Sequence, residues 1–116
     1  LRCSHSPIAD LEPLSNLKRL WKLSFEDTLV EDLEPLTGLI GLKELNLSGT
    51  PVKDLKPLKG LVNLKSLQCQ NTDVKSLKPI VGLRGLRSLK CYNTKIKARD
   101  IENFQKSVPQ CEVVFY

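Results

Sequence analysis

The chain has 116 residues, which suits one domain, and its makeup is that of a globular protein in which leucine dominates and aromatics are few. No apolar run approaches the roughly 18–20 residues that a membrane span needs. The net charge of +5 is uneven: residues 1–41 hold four Lys/Arg against seven Asp/Glu, while residues 42–116 hold 14 against six. Such polarity could steer an acidic partner to the C-terminal half. The basic residues are scattered across positions and not run together, however, which reads first as a solvated surface.

In chain order, one sentence repeats at a step of 22 positions. Leu1–Ile8 falls on Leu23–Val30, so the first repeat begins inside its strand with no polar cap and no visible signal peptide. End repeats of a stack need a cap to cover their apolar face, so further repeats or a cap are expected upstream, as in a piece of a longer protein. Then Asp10-Leu11-Glu12-Pro13-Leu14 returns at Asp32–Leu36 and Asp54–Leu58, and in altered form as Ser76–Ile80. Each proline fixes φ and lacks an N–H, which suits the opening of a short helical turn. The Asp or Ser three residues earlier is placed to bond the backbone locally. Leucines follow at 17, 39, 61 and 83, and again three residues later, as one face of a 3₁₀ or short α turn. Gly38, Gly60 and Gly82 precede the first of these and are expected where backbone passes close to its neighbour.

A strand comes next. In Leu42–Val52, Leu45 and Leu47 alternate with Asn46 and Ser48, so one set of side chains points in and the other out. Thr28, Thr50, Thr72 and Thr94 follow the strands in a single column, where a hydroxyl could satisfy backbone groups as the chain turns away. After Ile96 the sentence breaks. Ile101, Phe104 and Val108 have helical spacing, which predicts a helix over 97–108 ending before Pro109. Cys111–Phe115 then aligns by the 22-step with Leu89–Asn93 as a last strand. The expected divisions are a truncated first repeat (1–7), full repeats at 8–29, 30–51, 52–73 and 74–95, and a capping repeat at 96–116.

Cys3, Cys69, Cys91 and Cys111 match no zinc or redox spacing. The first three share the column of Phe25 and Leu47, and the 22-step puts Cys111 in the column of Leu45. They read as small buried hydrophobes with free thiols. That favours a reducing, cytoplasmic compartment, with a secreted or cell-surface location as the alternative.

The D-L-x-P-L-x-x-L-x-x-L-x-x-L-x-L-x-x-T-x-V sentence resembles the 22-residue leucine-rich repeats of the bacterial internalin-like class, from Leu1 to about Ile96. Thr stands where that class usually carries Asn, and Cys69 and Cys91 sit in the strand core. The resemblance implies an α/β fold: a right-handed leucine-rich-repeat solenoid, a parallel sheet on the concave face, short helical turns on the convex face, and a C-terminal helix and strand as cap. It also implies binding of another macromolecule on the concave strands. By column, the outward candidates are Lys22, Ser24 and Glu26, then Glu44, Asn46 and Ser48. Gln68 and Gln70 follow, then Lys90, Tyr92 and Asn93, with Gln110 and Glu112 on the last strand. Trp21, at the edge of this face, and Tyr92 are the aromatic candidates, because binding hot spots favour Trp, Tyr and Arg. Plain packing, Trp21 against Lys43 and Tyr92 over the sheet end, is the competing account.

Enzyme chemistry finds little support. His5 is the only histidine, the cysteines are assigned to the core, and the glycines follow the repeat and form no phosphate loop. No Cys/His cluster suits a metal, so no cofactor is expected. Glu26 and Asp27 are adjacent carboxylates that read as a solvated acidic spot, and the Asn46-Leu47-Ser48 glycosylation pattern falls on a strand. Nucleic acid is the weaker alternative partner. Its basic columns, Lys43–Lys65–Arg87, Lys53–Lys75–Lys97 and Lys56–Lys78, lie off the strand face without interleaved aromatics. The expectation is a non-enzymatic, monomeric module for a protein partner. The alternative is a scaffold or capping block within a larger protein.

Overall fold

A computed structural model describes all 116 residues. The 22-residue step becomes a stack of five strands, β1 (Lys22–Ser24), β2 (Glu44–Asn46), β3 (Ser66–Gln68), β4 (Ser88–Lys90) and β5 (Glu112–Val114). They form one parallel sheet in chain order. Leu23, Leu45, Leu67 and Leu89 are register partners, so the leucine column of the sequence is a column in space. The first repeat joins through a single parallel bridge between Arg2 and Ser24.

Short 3₁₀ turns lie opposite the strands at Glu12–Leu14, Glu34–Leu36, Lys56–Leu58 and Lys78–Ile80, each with proline at its second residue. The local bond expected of the preceding polar residue is present in every copy. Asp10, Asp32 and Asp54 Oδ1 accept from the backbone N–H of Glu12, Glu34 and Lys56 at 2.9, 2.9 and 2.8 Å. Ser76 Oγ accepts more weakly from Lys78 N at 3.2 Å. Leucines from turns and strands meet in one continuous core of 28 buried residues, so each repeat is covered by its neighbours.

The ladder runs past the strand ends. Asp27, Gly49 and Asn71 N–H groups donate to the carbonyls of Ser48, Gln70 and Tyr92. At that point His5, Asp27, Gly49, Asn71 and Asn93 all adopt positive φ, between 52° and 70°. Asp, Asn and Gly tolerate this left-handed backbone best, and it swings the chain off the sheet. The next residue is the column threonine. Thr28, Thr50, Thr72 and Thr94 hydroxyls donate to the carbonyls of Phe25, Leu47, Cys69 and Cys91 at 2.8, 2.7, 2.7 and 2.9 Å. The hydroxyl closes the bend, as expected.

Four expectations need correction. Cys111 does not share the Leu45 column, because β5 pairs Val113 with Leu89, a step of 24. The helix α1 (Ala98–Ser107) replaces a three-residue turn and consumes two more residues. An even shift keeps the same sides in and out, so Glu112 still faces outward, now beside Val114 and not Gln110. Gly38, Gly60 and Gly82 are not close contacts: an added Cβ meets nothing within 4 Å at Gly60 or Gly82 and only the flexible Lys18 Nζ at Gly38. Nothing in the structure explains glycine there. Leu17 is exposed while Leu39, Leu61 and Leu83 are buried. Cys3 is only half-buried, unlike Cys69 and Cys91.

Candidate functional site

The outward face of the sheet is built from two strict columns. One runs Lys22–Glu44–Ser66–Ser88–Glu112 and the other Ser24–Asn46–Gln68–Lys90–Val114. A third column follows just beyond the strands: Ser4, Glu26, Ser48, Gln70 and Tyr92. Strand backbone bonds hold these side chains at fixed spacing, so the face is rigid before anything binds.

Toward β1 the face is wired together. The Arg2 guanidinium pairs with Glu26 Oε1 at 3.1 Å, and the Asn46 amide donates to Glu26 Oε2 at 3.4 Å. Asn46 Oδ1 in turn accepts from the Ser48 N–H at 3.1 Å and hydroxyl at 2.8 Å. A hollow of about 390 Å³ opens over this network, lined among others by Glu26, Asn46, Ser66 and Gln68. Toward β4, the Gln70 amide donates to Gln68 Oε1 at 3.4 Å, while Gln70 Oε1 is buried with no hydrogen-bond partner. A buried acceptor left in this condition costs about 1–3 kcal/mol.

The predicted residues therefore fall into three groups. Lys22, Lys90 and Asn93 are exposed, and Ser24, Glu26, Glu44, Asn46, Gln68 and Tyr92 are half-buried on the face. Ser48 and Gln70, expected to project outward, are buried at 7% and 8% exposure. The Ser48 hydroxyl is turned onto Asn46 and the Gln70 amide onto Gln68, so neither offers broad contact area. Trp21 stands apart, 54% exposed on the flank where the chain leads into β1, so packing against Lys43 does not cover it. The Arg2–Glu26–Asn46 link escaped the sequence reading because its members lie 20 or more positions apart. The left-handed column also escaped it, although Asp, Gly, Asn and Asn recurring immediately before the threonines were a signal for it.

The thiols offer no chemistry to this face. No two cysteines are bridged, and Cys69, Cys91 and Cys111 are buried. Burial pushes the Cys69 thiol strongly upward, reinforced by neighbouring Cys91. Cys91 is pushed up to about 11 by burial and by Cys111, and Cys111 to about 11 by burial, with Arg87 opposing. These are inert thiols at neutral pH. No group of three or more His, Cys, Asp or Glu side chains converges to hold a metal, and no helix is long and apolar enough to cross a membrane.

Sheet, turns and threonine bends together define a leucine-rich-repeat solenoid. A family model described as leucine rich repeats in two copies matches residues 40–79. The fold is similar to an internalin from Listeria monocytogenes, with a TM-score of 0.91 and 25% identity over 99% of this chain and 33% of that one. It is equally similar to a leucine-rich-repeat protein from Leptospira interrogans, with a TM-score of 0.91 and 26% identity over 99% of this chain and 30% of that one. A chain of the Drosophila melanogaster SNF/U2A′ complex matches at a TM-score of 0.82 and 21% identity, over 100% of this chain and 72% of that one. No curated protein matches the sequence. The chain thus has the leucine-rich-repeat solenoid fold and is similar to internalins, and it spans about a third of the Listeria and Leptospira chains.

Proposed function

We propose that this chain is a non-enzymatic module that binds a protein partner on the outward face of its sheet. The observation that carries the reading is a rigid polar face in which Lys22–Glu44–Ser66–Ser88–Glu112 and Ser24–Asn46–Gln68–Lys90–Val114 are held in register by the parallel ladder, with the half-buried Tyr92 beside them. Such a preformed face needs little reordering on binding, and Tyr92 supplies an aromatic anchor of the kind that binding hot spots favour. One solved structure of similar fold is itself a complex, SNF/U2A′, which supports the general use of such a solenoid in assembly.

The test is affinity capture with the immobilised chain, followed by the same measurement on Lys90→Ala/Tyr92→Ala and on Asn46→Ala/Gln68→Ala. Lys90→Ala/Tyr92→Ala should unfold near the parent midpoint, whereas Asn46→Ala/Gln68→Ala removes acceptors from the buried Ser48 and Gln70 and should unfold earlier, so capture is compared where every variant is folded. A captured protein whose binding falls for both variants supports the reading. Equal capture by folded variants refutes it.

A further inference from the structure

A second surface lies on the flank where each repeat leads into its strand. Trp21, Lys43, Lys65 and Arg87 occupy one 22-residue column there, and Lys18, Ile40, Val62 and Arg84 occupy the next. All eight are exposed. Ile40 is 60% and Val62 64% exposed, adjacent in the stack, with Trp21 at the head of the basic column. None of the five cations has a carboxylate within 4.0 Å; the ion pairs of the molecule are Arg2–Glu26 and Lys95–Asp73, with His5 Nδ1 lying 3.0 Å from Asp27 Oδ2. The nearest acidic column is that of the strand starts, where only Glu44 and Glu112 are carboxylates.

The flank is as rigid as the sheet. Lys43, Lys65 and Arg87 N–H groups donate to the carbonyls of Trp21, Lys43 and Lys65, each at 2.8 Å. The outer column is tied as well: the Asn63 amide donates to Ile40 O at 2.8 Å and the Gln110 amide to Arg84 O at 3.0 Å. The Arg87 guanidinium also donates to Arg84 O at 3.0 Å, which joins the two columns at that end. Unpaired cations and bare aliphatic side chains are therefore held side by side on a fixed frame.

We infer that this flank docks an acidic amphipathic helix of a protein partner, laid along the stack with carboxylates on Lys43, Lys65 and Arg87 and an apolar stripe on Ile40 and Val62. Charge complementarity selects an acidic partner, and repeat spacing selects a helix. Neighbouring parallel strands stand about 4.8 Å apart. One helical turn rises about 5.4 Å, so side chains at i, i+3 or i+4, and i+7 stay within reach of three successive repeats. In an extended segment, same-side residues recur every ~6.6–6.8 Å and drift off the cations after one step. The aliphatic pair favours protein over a nucleic-acid backbone, which would leave Ile40 and Val62 uncovered.

The experiment uses the whole chain and a side-chain-stapled helical peptide with glutamates at i, i+4 and i+7 and leucines on the adjoining stripe. Binding is read from Trp21 fluorescence and peptide anisotropy. The controls are a scrambled peptide of equal composition, the same peptide broken by proline, and single-stranded oligouridylate. The stapled helix should bind best and weaken with salt. Lys43→Gln/Lys65→Gln should weaken it roughly threefold to tenfold, since each exposed charge pair contributes little alone. Ile40→Ser/Val62→Ser, which leaves every charge in place, should weaken it as well. Lys90→Ala/Tyr92→Ala should leave it unchanged, which separates this flank from the sheet face. Equal binding of the scrambled peptide, indifference to Ile40→Ser/Val62→Ser, tighter binding of oligouridylate, or no binding at all would each overturn the proposal.

Discussion

The Asn93 amide donates to Asn71 Oδ1 at 2.8 Å, and the two residues hold φ of 52° and 57° one repeat apart. The side-chain bond is exposed and contributes little. The backbone conformation matters more, because it sends the chain from the sheet into the threonine bend. Asn71→Val places a β-branched residue in the left-handed region and should destabilise by about 1–2 kcal/mol. Asn71→Gly should stay within a few tenths of a kcal/mol of the parent, since glycine adopts this φ freely. Urea midpoints of the two variants check this, and equal midpoints would show that the turn does not depend on φ.

The threonine column makes a graded prediction. Thr50 is buried, and its hydroxyl is placed on Leu47 O at 2.7 Å. Thr50→Val keeps the shape, removes the donor and leaves a buried carbonyl without it, which should cost about 1–3 kcal/mol. Thr94 makes the same bond to Cys91 O at 2.9 Å but is only half-buried. Water can replace its hydroxyl, so Thr94→Val should cost clearly less. Thermal or urea unfolding of both variants measures the ordering.

The sequence was most informative where a column has one dominant physical demand. Leu23, Leu45, Leu67 and Leu89 must be buried, and a shared step of 22 then specifies the register of four strands. The fifth strand escaped this logic. Between Ile96 and Cys111 the 22-residue sentence no longer holds, and the length of α1 set the offset to 24. Outward columns were legible as to side but not as to exposure. Ser48 and Gln70 alternate correctly yet are buried, each hydrogen-bonded to the side chain two residues before it, Asn46 and Gln68, which periodicity does not encode. The Lys43–Lys65–Arg87 column was visible too, but its position beside the bare Ile40 and Val62 emerged only once the flank was assembled.

Position within the stack should outweigh residue identity. Leu39 and Leu17 are one repeat apart in the same column, Leu39 fully buried and Leu17 44% exposed. Leu39→Ala opens a cavity between two covered repeats and should cost about 2–5 kcal/mol. Leu17→Ala removes a side chain that is already largely wet and should cost less than about 1 kcal/mol, in the manner of a surface change. Because each repeat is covered by its neighbours, Leu39→Ala should also lower hydrogen-exchange protection on both sides of its repeat, at Leu23 and at Leu45. Equal costs for the two variants would mean that the first repeat is as well packed as the second.

The buried thiols predict a stability loss in mild alkali. Burial raises Cys91 and Cys111 from 9.0 to about 11, and Cys69 further still. Well below pH 9 each is protonated in both the folded and unfolded chain, and the folded state keeps its full advantage. Between about pH 9 and 11 the unfolded chain releases protons that the folded chain retains. The unfolded state then binds fewer protons, so unfolding becomes easier as pH rises. Lysines and tyrosines titrate in part of the same window, so the measurement is comparative. Urea midpoints followed from about pH 8 to about pH 10.5 should fall more steeply for the parent than for Cys69→Ala/Cys91→Ala, whatever the offset at neutral pH. Parallel pH profiles would place these sulfurs outside the shared interior.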